Sequence, residues 1–528
     1  MSKLLDKKSI IKKTMEVGSS TLLSRLLGLV REVLKGRFLG TNALADAFVV
    51  AFMIPNSLRK IFAEGALTAA FVPTIVSLSR DDNQKEVDAL MSLSFLIFEG
   101  ILAVTCLLMF WQAEAVVRLA ASGFSPDKIA ITADLFRIMC SFILFVSSSS
   151  LLAGALQSVN HFLIPALGPV LLNVIFIGAL LACLWYSLPV TYLCYAILLA
   201  GVASFIMHLI VYFKKGFGFG PITPHAKSQF WTLLKKFFPV MFSMSIMEIS
   251  LFIDTSFSSY LADGSVSIIN YANRFMGIPL GIFAAAFSTI MLPYFAQVSV
   301  YEPKKLSYYL FEASKLVMWV TVPVALLMSF FAEDIFSTLF LSDKFPLARV
   351  LEAKWVLMGF LVGLFFFSLN KIILNVYYAL HDTYTPMMIS IVATFANYIL
   401  NQFLVGHFQA TGLAVATSIS GLIQVVLFIY FLRTQYGFDF HLAPFKQFLP
   451  RFIAQVIALF ALFITAFLVI KWLILLYLGN VHLWSIPLSV FLLEKLGLWL
   501  WVGPLSLLLG LGFLKTRRHF GIELYFID

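Results

Sequence analysis

The chain has 528 residues, 61% apolar and only 12% charged, with a formal net charge of +10. Soluble domains carry about 25% charged residues, so this composition, with a mean hydropathy of +0.94, excludes a soluble multidomain protein, a disordered chain and a disulfide-rich secreted scaffold. The apolar stretches are continuous rather than alternating, which specifies membrane-spanning helices and not a barrel.

A span takes about 20 mostly apolar residues. In chain order the expected spans are 14–36, 44–79, 87–111, 129–158, 162–187 and 190–213, then 229–261, 265–298, 306–332, 352–380, 386–406 and 410–433, and finally 447–478 and 484–514. The fold class is therefore an all-α polytopic membrane protein with about fourteen transmembrane helices. The basic start (Lys3, Lys7, Lys8, Lys12, Lys13) superficially looks like a signal peptide. Glu16, Arg25 and Arg31 break the run that follows, and no small-residue cleavage site is present, so it reads as a retained first helix.

An even count puts both termini on one side. Loops on that side hold eighteen Lys and Arg, against seven on the other. The side richer in Lys and Arg faces the cytoplasm, which puts both termini there. The loops are short, so the activity lies within the bilayer.

The pattern also repeats. Ile61-Phe62-Ala63 leads to Pro73, as Ile282-Phe283-Ala284 leads to Pro293, an offset of 220 between prolines. Ala155-Leu156-Gln157 precedes Pro165, and Ala379-Leu380-His381 precedes Pro386, an offset of 224 between alanines. The expected domains are two pseudo-symmetric six-helix lobes, 14–214 and 227–434, with two further helices in 447–514. Six is even, so the repeats are parallel, an arrangement used by alternating-access transporters.

The first two spans hold Glu16, Arg25, Arg31, Glu32, Asp46, Arg59, Lys60 and Glu64, and the eighth holds Arg274. A central arginine costs about 2.5–3.5 kcal/mol on insertion scales, a cost tolerated where the group meets water or an opposite charge. Arg25 and Glu32 share a helix face, as do Lys60 and Glu64. Arg25, Arg59 and Arg274 lie far from helix ends and point to a hydrated cationic cavity for an anion, since guanidinium forks fit phosphate. Lys35, Arg37 and Lys60 read instead as helix-end charges that snorkel.

A second group is rich in oxygen. Asp254, the i,i+4 pair Asn397 and Asn401, and Thr417 suit a hard monovalent cation such as sodium; interhelical hydrogen bonding accounts for them equally. Glu99, Arg137, Glu248, Lys371 and Lys471 are scattered one per helix. Pro55 is expected to bend the second helix. Cys106, Cys140, Cys183 and Cys194 lack metal-ligand spacing. No phosphate loop, zinc-protease motif or nucleophile elbow occurs in the sequence.

Ser24-Arg25-Leu26-Leu27-Gly28-Leu29-Val30-Arg31-Glu32 resembles the first-helix motif of the MurJ (MviN-type) lipid II flippases, members of the multidrug/oligosaccharidyl-lipid/polysaccharide exporter superfamily. Asp46-Ala47-Phe48, Ile54-Pro55-Asn56-Ser57-Leu58-Arg59-Lys60 and Phe62-Ala63-Glu64-Gly65-Ala66 resemble its second helix, and Tyr271-Ala272-Asn273-Arg274 its eighth. The resemblance implies that undecaprenyl-diphosphate-linked disaccharide-pentapeptide, lipid II, is flipped from the inner to the outer leaflet of the bacterial cytoplasmic membrane. It implies head-group contacts from Arg25, Arg31, Arg59 and Arg274, with acidic partners Glu32, Asp46 and Glu64. The last two helices would form a groove for the lipid tail. It implies a sodium site at Asp254, Asn397, Asn401, the Leu413 carbonyl and Thr417. An aspartate can occur in the family where Asn401 stands, so the site here has one negative charge fewer, and sodium, proton and membrane-potential coupling all stay open. No resident cofactor is expected. The expected partners are lipid II, membrane lipids and cell-wall synthesis proteins, with no nucleic acid. The rival readings are an exporter of another polyprenyl-linked glycan and an integral-membrane glycosyltransferase.

Overall fold

The computed structural model describes residues 7–61, 67–80, 83–439, 442–479, 481–483 and 486–527. Apart from a two-residue strand pair, His482–Leu483 with Ile486–Pro487, its regular elements are helices. They are α1 Lys7–Leu39, α2 Ala43–Arg59, α3 Leu67–Arg80, α4 Gln84–Ser94, α5 Gly100–Trp111, α6 Ala113–Ala120, α7 Pro126–Cys140, α8 Phe142–Ser158, α9 Leu163–Tyr186, α10 Thr191–Lys214 and α11 Pro224–Ser258. There follow α12 Ser265–Pro279, α13 Ala286–Tyr301, α14 Leu306–Phe330, α15 Ala332–Phe340, α16 Leu347–Ala379, α17 Tyr384–Tyr436, α18 Leu442–Leu478, α19 Leu488–Glu494 and α20 Leu498–Thr516. Among the described residues, ten helical stretches are long and apolar enough to cross a membrane. One of them, α17, is two helices in series: Gln409 interrupts it with φ 48° and ψ −131°, in the gap expected between 406 and 410. The last expected span is shorter than predicted. Glu494, Lys495 and Gly497 interrupt the apolar run, so 484–514 divides into the strand pair's second half, α19, and a span that starts at Leu498.

The chain forms two compact units, Met1–Ser267 and Ile268–Asp528. In the first, α11 packs on α3, α4 and α6. The core of this unit is built around Phe48, Phe136 and Phe142, with a second cluster at Phe71 and Phe237. In the second, α16 lies against α17, and small residues bring the backbones close. A Cβ on Gly359 would stand 2.9 Å from the Ala414 Cβ, and Ser418 donates to the Gly359 carbonyl at 2.7 Å. Buried Gln455 ties α14, α18 and α20 together, accepting from Trp319 Nε1 at 2.9 Å and donating to the Phe513 carbonyl at 2.9 Å.

The repeat is written in the turns. Left-handed residues stand at Gly40, Asn160, Ser187 and Gly216, and again at Gly264, His381, Gln409 and Gly437. These pairs are separated by 224, 221, 222 and 221 positions. The same wide, π-type winding that occupies Leu280–Ala285 begins 220 residues earlier at Lys60 and Ile61. One register needs correcting. His161 N bonds the Leu156 carbonyl, and Asp382 N bonds the Tyr377 carbonyl. Ala155-Leu156-Gln157 therefore corresponds to Val376-Tyr377-Tyr378, three residues before the Ala379 match suggested by residue identity. Turn geometry, not the Ala-Leu letters, carries the repeat.

Candidate functional site

Arg25 and Arg31, the two candidate arginines of α1, lie in different surroundings. Arg25 is exposed and makes no ion pair among the described residues. One turn before Gly28, Asn173 of α9 fixes the backbone by donating to the Ser24 carbonyl at 2.9 Å. Glu32 is buried, at 4% exposure. Its carboxylate is flanked by Arg31 at 2.7 Å and by Lys35, and Arg31 also lies 5.7 Å from the Phe176 ring centre. Lys35, read from sequence as a snorkelling charge, is thus a buried partner of Glu32. Two cations around one carboxylate leave this cluster a net positive charge, so its cost in a low-dielectric setting is only partly offset.

Among the described residues of the first unit, Asp46 is the most completely enclosed charge, at 1% exposure. One carboxylate oxygen accepts from Lys128 Nζ at 2.9 Å and Gly264 N at 2.7 Å. The other accepts from Ser267 N at 2.8 Å and Ser267 Oγ at 2.7 Å. Lys128 also reaches Asp263 at 2.8 Å and stands 4.1 Å from the Phe124 ring centre. Gly264 is held at φ +94°, and a Cβ there would meet the Thr41 carbonyl at 2.5 Å. The arrangement fastens the α2 start to α7 and to the loop that enters α12. Four donors on one carboxylate leave it no capacity for a further ligand. Lys128 and Ser267 were not singled out in the sequence, because a lysine at a helix start reads as a topology-setting loop charge.

At the other end of α2, Arg59 donates Nε and Nη2 to Asn56 Oδ1, at 3.2 and 3.1 Å, which orients its guanidinium. Lys60 pairs with Glu248 of α11 at 2.9 Å, and Ser57 donates to the same carboxylate at 2.5 Å. Glu64, the partner expected for Lys60, lies outside the described residues. Glu248, a scattered charge in the sequence, is therefore an anchor between α2 and α11. Arg274 is exposed on α12. Beside it on α12, Tyr271 and Phe275, one turn apart, pack on Phe340 with ring centres 5.3 and 5.9 Å away.

The donors named for sodium divide between the units: Asp254 belongs to the first, Asn397, Asn401, Leu413 and Thr417 to the second. Within the second, the two halves of α17 run antiparallel. Ser420 donates to the Ala393 carbonyl at 2.7 Å, and Gln424 to Ser390 at 3.1 Å. That register sets Asn397 opposite Ala416 and Thr417, and Asn401 opposite Gly412 and Leu413. Both asparagines are buried, and Thr417 donates to the Leu413 carbonyl at 2.9 Å. Amide, hydroxyl and carbonyl oxygens are the hard donors an alkali cation accepts, so this set fits such an ion by chemistry. Among the described residues, no cluster of three or more His, Cys, Asp or Glu could hold a metal.

A helical chain whose turns recur at an offset of about 221 residues, with ten helical stretches among its described residues long and apolar enough to cross a membrane, belongs to the class of multi-pass membrane transporters. Comparison with solved structures agrees. A lipid II flippase MurJ in an inward closed conformation superposes with a TM-score of 0.75 at 24% identity, covering 95% of this chain and 99% of that one. An inward-facing multidrug resistance MATE family transporter of the MOP superfamily matches with a TM-score of 0.65 at 16% identity, over 79% of this chain and 97% of that one. The family model described as lipid II flippase MurJ matches residues 36–486. The probable lipid II flippase MurJ of Buchnera aphidicola subsp. Acyrthosiphon pisum (strain APS) is 32% identical over 79% of this chain and 83% of its own length. The lipid II flippase MurJ of Burkholderia cenocepacia is 32% identical over 80% and 84%. The chain belongs to the MurJ lipid II flippase family.

Proposed function

We propose that this chain flips lipid II from the inner to the outer leaflet of the bacterial cytoplasmic membrane by alternating access, with both termini in the cytoplasm and fourteen crossings grouped as lobes 14–214 and 227–434 plus a tail-binding pair in 447–514. Family membership over residues 36–486 carries this reading. Arg25, Arg31, Arg59 and Arg274 receive the diphosphate. Arg25 has the most to offer, being exposed and without an ion pair among the described residues. Paired N–H donors then replace the water shell of the phosphates, and the substrate's charge relieves repulsion between guanidinium groups. Glu32 keeps Arg31 oriented. Asp46 acts by holding α2, α7 and the α12 entry together rather than by touching substrate, because its oxygens are already used. Glu64 completes the acidic set. Asp254, Asn397, Asn401, the Leu413 carbonyl and Thr417 hold a coupling sodium. Cell-wall synthesis proteins that consume lipid II are the natural partners.

The test is depletion of the chain followed by complementation, with leaflet-specific measurement of lipid II. Arg25→Ala and Arg274→Ala should insert at normal levels and leave lipid II on the cytoplasmic face. Wild-type translocation by either variant would sink the cationic-site reading. Normal lipid II movement in depleted cells, with another polyprenyl-linked glycan trapped inside, would assign the substrate to that glycan instead.

A further inference from the structure

Beyond α20 the chain does not leave the second unit. Residues 517–527 fold back as a strap. Gly521 turns it with φ +68°, and Ile522 N closes the turn on the Arg517 carbonyl at 2.9 Å. Ile522 and Leu524 are buried. The strap spans from α18 over α14 to α13. Arg451 of α18 donates to the Gly521 carbonyl at 2.9 Å. Tyr525 lies on α14, its ring centre 5.3 Å from that of Tyr309. Phe526 lies on α13, its ring centre 5.7 Å from those of both Phe287 and Tyr294. Those two residues are seven positions apart and so share a helix face.

The repeat shows what the strap stands in for. Its offset matches α13 to α3, and α14 to the stretch from α4 to α5. In the first unit α3 and α4 are covered by α11, one helix continuous over Pro224–Ser258. In the second unit α18 follows the turn at Gly437 as α11 follows the turn at Gly216, and it meets α14 where Gln455 accepts from Trp319 at 2.9 Å. The rings laid on Phe287 and Tyr294 of α13 come instead from the strap. A continuous helix cannot leave its seat without breaking its own backbone hydrogen bonds, whereas a terminal strap held by a turn, a side-chain bond and ring contacts can lift as a small local unit. The helix beneath it is built to bend. A wide, π-type winding occupies Leu280–Ala285 immediately before α13, and Pro279 and Pro293 stand on either side of it. Such windings and prolines are where helices kink.

We propose that residues 517–527 are a releasable latch. Docked, the strap ties α13 to α14 and α18; released, it frees α13 to bend about Leu280–Ala285. The consequence for transport rests on the alternating-access reading, but the docking itself does not depend on the cargo.

Hydrogen exchange of the full chain in lipid nanodiscs tests the latch without reference to transport. In the wild type the amides of 522–526 should exchange at least about tenfold faster than those of α16, because they open locally. Phe526→Ala removes both ring contacts on α13 and should speed exchange across 286–294 by about tenfold while α16 stays unchanged. A strap as protected as α16, or exchange in α13 unmoved by Phe526→Ala, would overturn the proposal. A second arm reads transport. Tyr294→Cys and Phe526→Cys are combined in a chain whose four free cysteines are replaced by alanine, and a short, reducible bis-methanethiosulfonate bridges the pair. The bridged chain should stop moving lipid II and recover on reduction. Translocation by the bridged chain at the unbridged rate would also overturn the latch. If the unbridged chain moves no lipid II either, it is the flippase reading that fails, and the exchange measurements alone decide the latch.

Discussion

Asp46 and Lys128 are 82 positions apart and meet at 2.9 Å with almost no exposure of either. Removing one member of a buried, hydrogen-bonded ion pair leaves the other uncompensated, which costs about 3–5 kcal/mol. Lys128→Met should therefore lower the stability of the purified chain by that order, measured as a large loss of melting temperature. Asp263, which also meets Lys128, cannot rescue it, because a second carboxylate carries the same sign of charge. A Lys128→Met variant as stable as wild type would show that the carboxylate is held by Gly264 and Ser267 alone. The sequence placed Asp46 among charged residues of the second helix but paired it with nothing. Hydropathy reports where a charge sits along the membrane normal and not which helix supplies its counter-ion. For the same reason the sequence did not display the contact of Lys60 with Glu248 of α11 at 2.9 Å.

At the scale of the element, breaks were legible where sequence chemistry forces them and shifted where it does not. The gap between the eleventh and twelfth expected spans falls on Gln409, whose φ of 48° and ψ of −131° suit glycine. Gln409→Gly should relieve backbone strain and raise stability by about 1 kcal/mol, while Gln409→Val should lower it; thermal unfolding of the two variants checks both signs. The turn from α16 to α17 is closed differently. Asp382 accepts from Thr385 N at 2.9 Å and from the Tyr436 hydroxyl at 2.9 Å. Burial raises its pKa, but these hydrogen bonds outweigh burial and leave it below the ordinary 3.8. A carboxyl depressed in the folded state contributes stability that is complete above its ordinary value and fades as pH falls through the folded one. The stability difference between wild type and Asp382→Asn should thus be constant at neutral pH and shrink below about pH 4. A difference that widens on acidification would contradict the assignment.

For the whole molecule, composition settled the solvent and periodic apolar runs settled the element type, since every backbone polar group in lipid must be satisfied within a helix. The repeat was visible as two weak matches; the recurrence of four left-handed turns at nearly one offset makes it a property of the fold. The arginines stood out because 12% charge is a quiet background, and the motifs around them pointed to the family. Tertiary structure alone decided which carboxylate each cation meets, that Asp46 is fully used as an anchor, that Arg25 keeps its guanidinium exposed, and that residues 517–527 return to cover α14. The physical reason is one of range. Helix formation and membrane insertion depend on residues within a few turns, which a single sequence displays. Ion pairing, close approach at small residues and cavity formation depend on groups brought together from opposite ends of a unit, which the sequence does not display.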